Sequence, residues 1–233
     1  MTQLFGVDVS AHQPPGLPWL TWRRAGVRFA IIRAGLGYVI DHGAERHRKE
    51  ARAAGLYTGS YWALLDHDID TPQFDPIQSA RNFNRLIQPG DELPPFVDVE
   101  AQGIDAPLLS AFLAEFERLR PNSGVGIYTS KYFWEMLIGT GHTEFAKYPL
   151  WVAMYGAGFQ DPPYLPDIWN DYVCYQFRYK AGYLPGYDKD LDIDLWSGEI
   201  MPATDDQLKA LITEADKVQD DACLLYTSDA ADE

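Results

Sequence analysis

The chain has 233 residues, 46% of them hydrophobic and 14% aromatic, which is enough to bury one large core and too little for two full-sized domains. A formal net charge of −15, offset by no run of Lys or Arg, works against capture by nucleic acid or by an anionic membrane surface. Cys174 and Cys223 give no disulfide framework, and no apolar stretch reaches the roughly 18 residues of a membrane-spanning helix.

Short β-rich runs recur along the chain, at Leu4 to Val9, Phe29 to Arg33, Thr58 to Ala63 and Pro95 to Glu100, then at Gly124 to Tyr128, Leu150 to Met154, Val173 to Phe177 and Leu191 to Leu195. Helical stretches lie between several of them, for example Glu45 to Ala54 closed by Gly55, and Leu108 to Arg120 entered through Asp105 and Pro107. This alternation predicts a single irregular (β/α) barrel with eight strands. The links from Gly156 to Asn170 and from Arg178 to Asp190 lack helix signals, so fewer than eight helices are expected. The barrel is assigned to residues 1–199. Thr204 and Gln207 make a capping box for a helix or linker over 200–218, and 219–233 reads as a disordered or artefactual tail. The start of the chain lacks the basic and then apolar pattern of an export signal, as expected for a protein held in the cytoplasm until it is released or for a mature secreted one.

The densest chemical signal is Phe96-Val97-Asp98-Val99-Glu100. A strand's period of two puts both carboxyls on one face, where their repulsion raises one pKa toward the range of a general acid. A pair of solvated acids at a strand end has the same spacing. Asp8 ends the first run and Asp192 lies in the last. Closure of a barrel makes those strands neighbours, so Asp8, Asp98, Glu100 and Asp192 are expected to converge at the C-terminal mouth. Asp188, Asp190, Asp192, Asp194 and Glu199 match ligand positions of an EF-hand loop, but Ile193 stands where the turn needs Gly. His12, His42, His47, His67 and His142 show no zinc spacing, and no nucleophile elbow, phosphate loop or dinucleotide fingerprint is present. No metal or cofactor is expected.

The motifs GVDVSAHQ, FAIIRAGLG, TGSYW, FVDVE, GIYTS, LWVAMY, YQF and LDIDLW follow one another in an order that resembles glycoside hydrolase family 25, over roughly Phe5 to Trp196. The resemblance implies an irregular β/α barrel and N-acetylmuramidase activity on the β-1,4 bond between N-acetylmuramic acid and N-acetylglucosamine. It further implies Glu100 as general acid, Asp98 beside it at the reacting sugar, and Asp8 and Asp192 shaping the charge. Tyr61, Tyr128, Trp151, Tyr155 and Gln176 would line the sugar groove. Tyr and Trp at strand ends are equally ordinary as core caps. Arg33 is either a partner of the acids or a buried counter-ion. Asp194 departs from the family pattern, which has Asn there. The expected partner is bacterial peptidoglycan, met by a monomer. The alternatives are a chitinase-like or endo-N-acetylglucosaminidase activity, separable by the sugar at the new reducing end, and a wall-binding barrel without turnover.

Overall fold

The computed structural model describes residues 4–64, 74–87, 90–121, 123–155, 163–178 and 182–197. Among them nine strands form one sheet: β1 (Leu4–Val9), β2 (Val27–Leu36), β3 (Val39–Ile40), β4 (Tyr57–Ala63), β5 (Phe96–Asp98), β6 (Gly126–Thr129), β7 (Leu150–Ala153), β8 (Cys174–Arg178) and β9 (Asp192–Trp196). The strand order is β1-β9-β8-β7-β6-β5-β4-β2, and a further β1–β2 pairing closes the ring into an eight-stranded barrel. The two-residue β3 is a hairpin on the end of β2. All eight sequence-predicted strands are present. The expected C-terminal helix and the tail lie outside the described residues.

Five α-helices are described: α1 (Trp19–Arg24), α2 (Ala44–Ala53), α3 (Pro76–Leu86), α4 (Ala106–Leu119) and α5 (Lys131–Leu137). Side chains fix where three of them begin. Asp75 accepts from the Ile77 and Gln78 amides, Asp105 from Leu108, and Ser130 from Phe133, so each supplies an acceptor to donors that the first turn leaves free. Pro76 and Pro107 sit in the first turns of α3 and α4, where a missing N–H does no harm. α2 stops before Gly55, whose φ of 78° is a left-handed turn.

The strand period sorts the core into two layers. Outward-facing Val7, Ile32, Trp62 and Val97 meet helix residues such as Phe83, Phe112 and Phe116. Inward-facing Phe29, Phe96, Trp151 and Trp196 fill the barrel with rings at centroid distances of 5.4 Å for Phe96–Trp151 and 6.0 Å for Phe29–Trp196. Gly6 and Gly126 make room for them: a Cβ at either would sit 2.3 Å from an atom of the Phe29 or Phe96 ring. Above this apolar plug the inward residues become polar.

One feature of the topology departs from the expected pattern. β9 runs antiparallel to both its neighbours, β8 and β1. A parallel return needs a crossover of a dozen or more residues, usually a helix, whereas the described part of the β8–β9 link, 182–191, contains none. Asp192 therefore reaches the C-terminal mouth as the first residue of a descending strand. On a parallel strand, its position at the start would have put it at the opposite end.

Candidate active site

Five carboxyls from three strands meet at this mouth. Asp8 stands near the top of β1 directly opposite Asp192 on β9, and Asp194, two residues on, shares their inward face. Asp98 ends β5, and Glu100 follows it on the same side. Their fields overlap. Burial and then the charge of Asp192 push the Glu100 carboxyl up to about 7, against a hydrogen bond with Tyr128 that favours the charged form. Asp98 is buried and raised well above the ordinary range, first by desolvation and then by Glu100, with Arg33 opposing. Asp192 is raised to about 6 by burial and then Asp190. Asp8 is raised well above its usual value by burial, then by Asp192 and Asp194.

Around the acids runs a hydrogen-bonded frame. Gln176 on β8 donates from Nε2 to Asp8 Oδ2 at 2.6 Å, and its Oε1 accepts from the Tyr128 hydroxyl at 2.8 Å and from Tyr155. Trp151 on β7 donates its indole N–H to Asp194 Oδ1 at 2.9 Å, while its ring packs on Tyr128 at 4.5 Å and Tyr61 at 5.8 Å. Trp151 is only 1% exposed, and Tyr128 and Gln176 are also buried. These three expected groove residues thus form the floor under the mouth, with Trp151 spending its one donor on the protein. Tyr155, 47% exposed, stands in the open groove, and half-buried Tyr61 borders the acids.

Arg33 pairs with Asp41, Nε to Oδ2 at 2.9 Å, and the field of its charge lowers Asp98. Asp41 was not singled out from sequence. Its carboxylate also accepts from the Ala11 and Gly43 amides, both at 2.9 Å, and so ties the loop after β1 to the start of α2. That loop carries Gln13 to the groove.

Two depressions of about 490 Å³ each meet at Tyr155. One opens beside Glu100 and is walled by Tyr132, Phe133, Met154 and Tyr164; the other is lined by Gln13, Asp190, Leu191 and Asp192. Tyr132 and Tyr164 are 68% and 74% exposed. Together the two hollows make a groove across the mouth, with acids at its centre and rings along one arm, as a chain of sugars requires. Another depression, about 390 Å³, lies at 146–150 and 168–173, which include the start of β7 and the residues leading into β8, at the other end of the barrel.

Sequence reasoning did not single out Asp41, Tyr132 or Tyr164, and it held Gln13 only as the end of GVDVSAHQ. For Tyr132 the available signal was position: it lies two residues past the Ser130 cap that follows β6, where barrel loops build sites. The EF-hand spacing does not form a loop, because Asp192 and Asp194 lie in an extended strand and Glu199 is outside the described residues. Among the described residues no three His, Cys, Asp or Glu are grouped to hold a metal ion.

Known proteins resemble this chain in sequence and in fold. The model of Glycosyl hydrolases family 25 matches residues 7–187. Lysozyme M1 of Streptomyces globisporus is 26% identical over 206 residues, which span 83% of this chain and 67% of that protein. Among solved structures, the bacterial lysozyme from Streptomyces coelicolor superposes with a TM-score of 0.71 at 21% identity, covering 91% of this chain and 98% of that one. A muramidase from Trichobolus zukalii superposes with a TM-score of 0.66 at 25% identity, covering 90% and 98%.

Proposed function

The chain belongs to glycosyl hydrolases family 25 and is a glycoside hydrolase, and from that premise we propose that it is a muramidase. It cleaves the β-1,4 bond between N-acetylmuramic acid and N-acetylglucosamine in bacterial peptidoglycan, acting as a monomer and without a cofactor. The names of its relatives, lysozyme and muramidase, support the substrate class. The observation that carries the chemistry is Glu100: a carboxyl raised to about 7, open to the groove and next to Asp98 on the same strand face.

In this reading the Glu100 carboxyl donates its proton to the glycosidic oxygen as the C–O bond breaks. Asp98 and Glu100 issue from one side, whereas a retaining pair of acid and nucleophile flanks the bond. The attacker is then the substrate's own 2-acetamido oxygen, which bonds to the anomeric carbon while Asp98 accepts the acetamide N–H. Water next attacks that carbon, Glu100 takes the proton from the water, and the acetamide is released with configuration retained. Tyr61 and Tyr155 contact the sugar, Asp8 and Asp192 set the field, and Gln176 and Tyr128 hold those groups in place.

Mass analysis of soluble products from purified peptidoglycan tests the substrate. Muramic acid at the new reducing ends is expected. Glucosamine there would make the enzyme a glucosaminidase, and intact glycan would make it a binding barrel. Walls stripped of muramic N-acetyl groups test the attacker: they should be cut poorly, and equal rates, a trapped glycosyl ester on Asp98 or inverted products would each rule out substrate assistance.

A further inference from the structure

Asp194 has no part in the chemistry above, yet it is the most deeply placed acid of the cluster, 0% exposed. Its Oδ1 is engaged by the Trp151 indole at 2.9 Å and lies 4.0 Å from Cys174 Sγ. Its Oδ2 is buried and meets no donor among the described residues. On the mouth side its neighbour is Asp8, another carboxyl: Asp194 pairs in register with Gly6, two residues from Asp8 on the same inward face, and each of the two acids acts on the other's proton affinity. A hydrogen bond between them forms only if one of the two holds a proton, because a carboxylate has acceptors alone. The groups that act on the pair are Asp192 on the strand of Asp194, Tyr61 from β4, Tyr128 from β6, Trp151 from β7, Tyr155 after β7, and Cys174 and Gln176 from β8, and none of them is a cation. Two ionised carboxylates in contact, buried and without a counter-ion, would be strongly unfavourable.

We infer that Asp8 and Asp194 share one proton, and that Asp194 is thereby a positioning residue that fixes the Asp8 carboxyl at the sugar-facing edge of the mouth. Asp8 is clamped from two directions, by Gln176 through its Oδ2 and by Asp194 through the shared proton. Since Gln176 is held in turn by Tyr128 and Tyr155, a continuous polar chain runs from the barrel plug to the groove. Burial and the charge of Asp192 push both carboxyls of the pair upward, in keeping with a retained proton. The link to catalysis rests on the reading of this mouth as the muramidase site; the shared proton does not.

Asp194→Asn tests both parts. The amide keeps the planar shape, accepts the indole N–H and offers Asp8 a permanent donor, leaving the single negative charge that a shared proton leaves. Thermal unfolding of wild type and variant is followed by circular dichroism from about pH 4 to about pH 8. A carboxyl whose folded pKa is raised contributes stability that is complete below its unfolded pKa and is lost as pH climbs toward the folded value. Wild type therefore loses Tm faster than the variant, and the Tm advantage of Asp194→Asn widens with pH. A constant difference across the window overturns the shared proton. Kinetics on purified peptidoglycan test positioning: Asp194→Asn stays within about threefold of wild type, whereas Asp194→Val, without a donor, loses about tenfold or more in kcat with little change in KM. Equal losses in both overturn the positioning role; if Asp194→Val does not fold, a tenfold loss in Asp194→Asn alone overturns it. Wild type inactive on peptidoglycan would remove the muramidase reading and leave the unfolding result standing.

Discussion

Burial and the charge of Asp192 hold the Glu100 carboxyl near 7, so a large fraction keeps its proton at the pH where an ordinary glutamic acid has lost it. Glu100→Gln keeps the shape and removes that proton, and kcat should fall by about 10²–10⁴-fold with a native circular dichroism spectrum. A folded variant with more than about a tenth of the activity would take Glu100 out of the role. The same carboxyl sets the alkaline limb of the pH profile: activity should decline as pH rises through about 7, where Glu100 loses its proton. On the acid side activity falls as the cluster fills with protons, Asp192 among them near about 6, and the two apparent values belong to the coupled group. An activity still climbing at pH well above 8 would contradict this assignment. Asp98 and Glu100 were legible in the sequence because a strand's period of two is a local rule. Asp41 was not, since its meaning comes from joining the nearby Arg33 and Gly43 to Ala11, 30 residues away. Trp151 and Gln176 were legible as members of the site, while their depth below the mouth depends on the radius of the barrel.

At the scale of elements, the mouth is composed by strand direction as much as by residue type. Because β9 descends, its first residue joins the last residues of β1 and β5, and Asp194 falls one inward layer lower, against Trp151. Sequence periodicity marks a strand without marking its direction, so the convergence of the acids was legible and its cause was not. Helices were read less completely than strands. The Asp75-Pro76 start of α3 is a cap signal of the kind used for α4, but the apolar face it opens, Ile77, Ala80 and Phe83, is short. The barrel plug offers a test of packing at this scale. Gly126→Val on β6 would put a Cβ 2.3 Å from the Phe96 ring and 2.9 Å from the Pro149 carbonyl, so the ring has to move within a filled interior. The expected destabilisation is about 1–3 kcal/mol in chemical denaturation. Gly124→Ala, just outside the strand with nothing within 4 Å of its Cβ, should change stability by no more than about 0.5 kcal/mol. Equal effects at the two sites would mean that Phe96 yields freely and that the plug is not close-packed.

For the molecule as a whole, the gathered acids set how stability varies with pH. Glu100 at about 7 and Asp192 at about 6 both have folded values above those of an unfolded chain, and Asp8, Asp98 and Asp194 are shifted the same way by burial. The folded state therefore holds more protons than the unfolded state between about pH 4 and about pH 7, and unfolding free energy falls as pH rises across that window. Each group contributes about 1.4 kcal/mol per pH unit while it is protonated when folded and ionised when unfolded. Glu115, held down to about 2 by its hydrogen bonds with Arg118 and Arg81, works in the opposite sense, but its effect is complete by about pH 5, where the unfolded glutamate has ionised. The net charge of −15 adds a repulsion of the same sign, growing as the remaining carboxyls ionise. Tm is thus expected to peak on the acid side, near pH 4–5, and to decline toward pH 8. Glu100→Gln separates the site from the general charge: it removes one proton-binding group of the folded state, so its Tm should exceed that of wild type by a margin that grows from about pH 4.5 to about pH 7 and then levels off. A wild-type Tm that rises from pH 5 to pH 8, or a Glu100→Gln margin that does not depend on pH, would mean that these carboxyls are solvated and ionise normally. The raised proton affinity that supplies a general acid at neutral pH would then be absent, so a thermal measurement made without any substrate bears directly on how this barrel cuts a glycan.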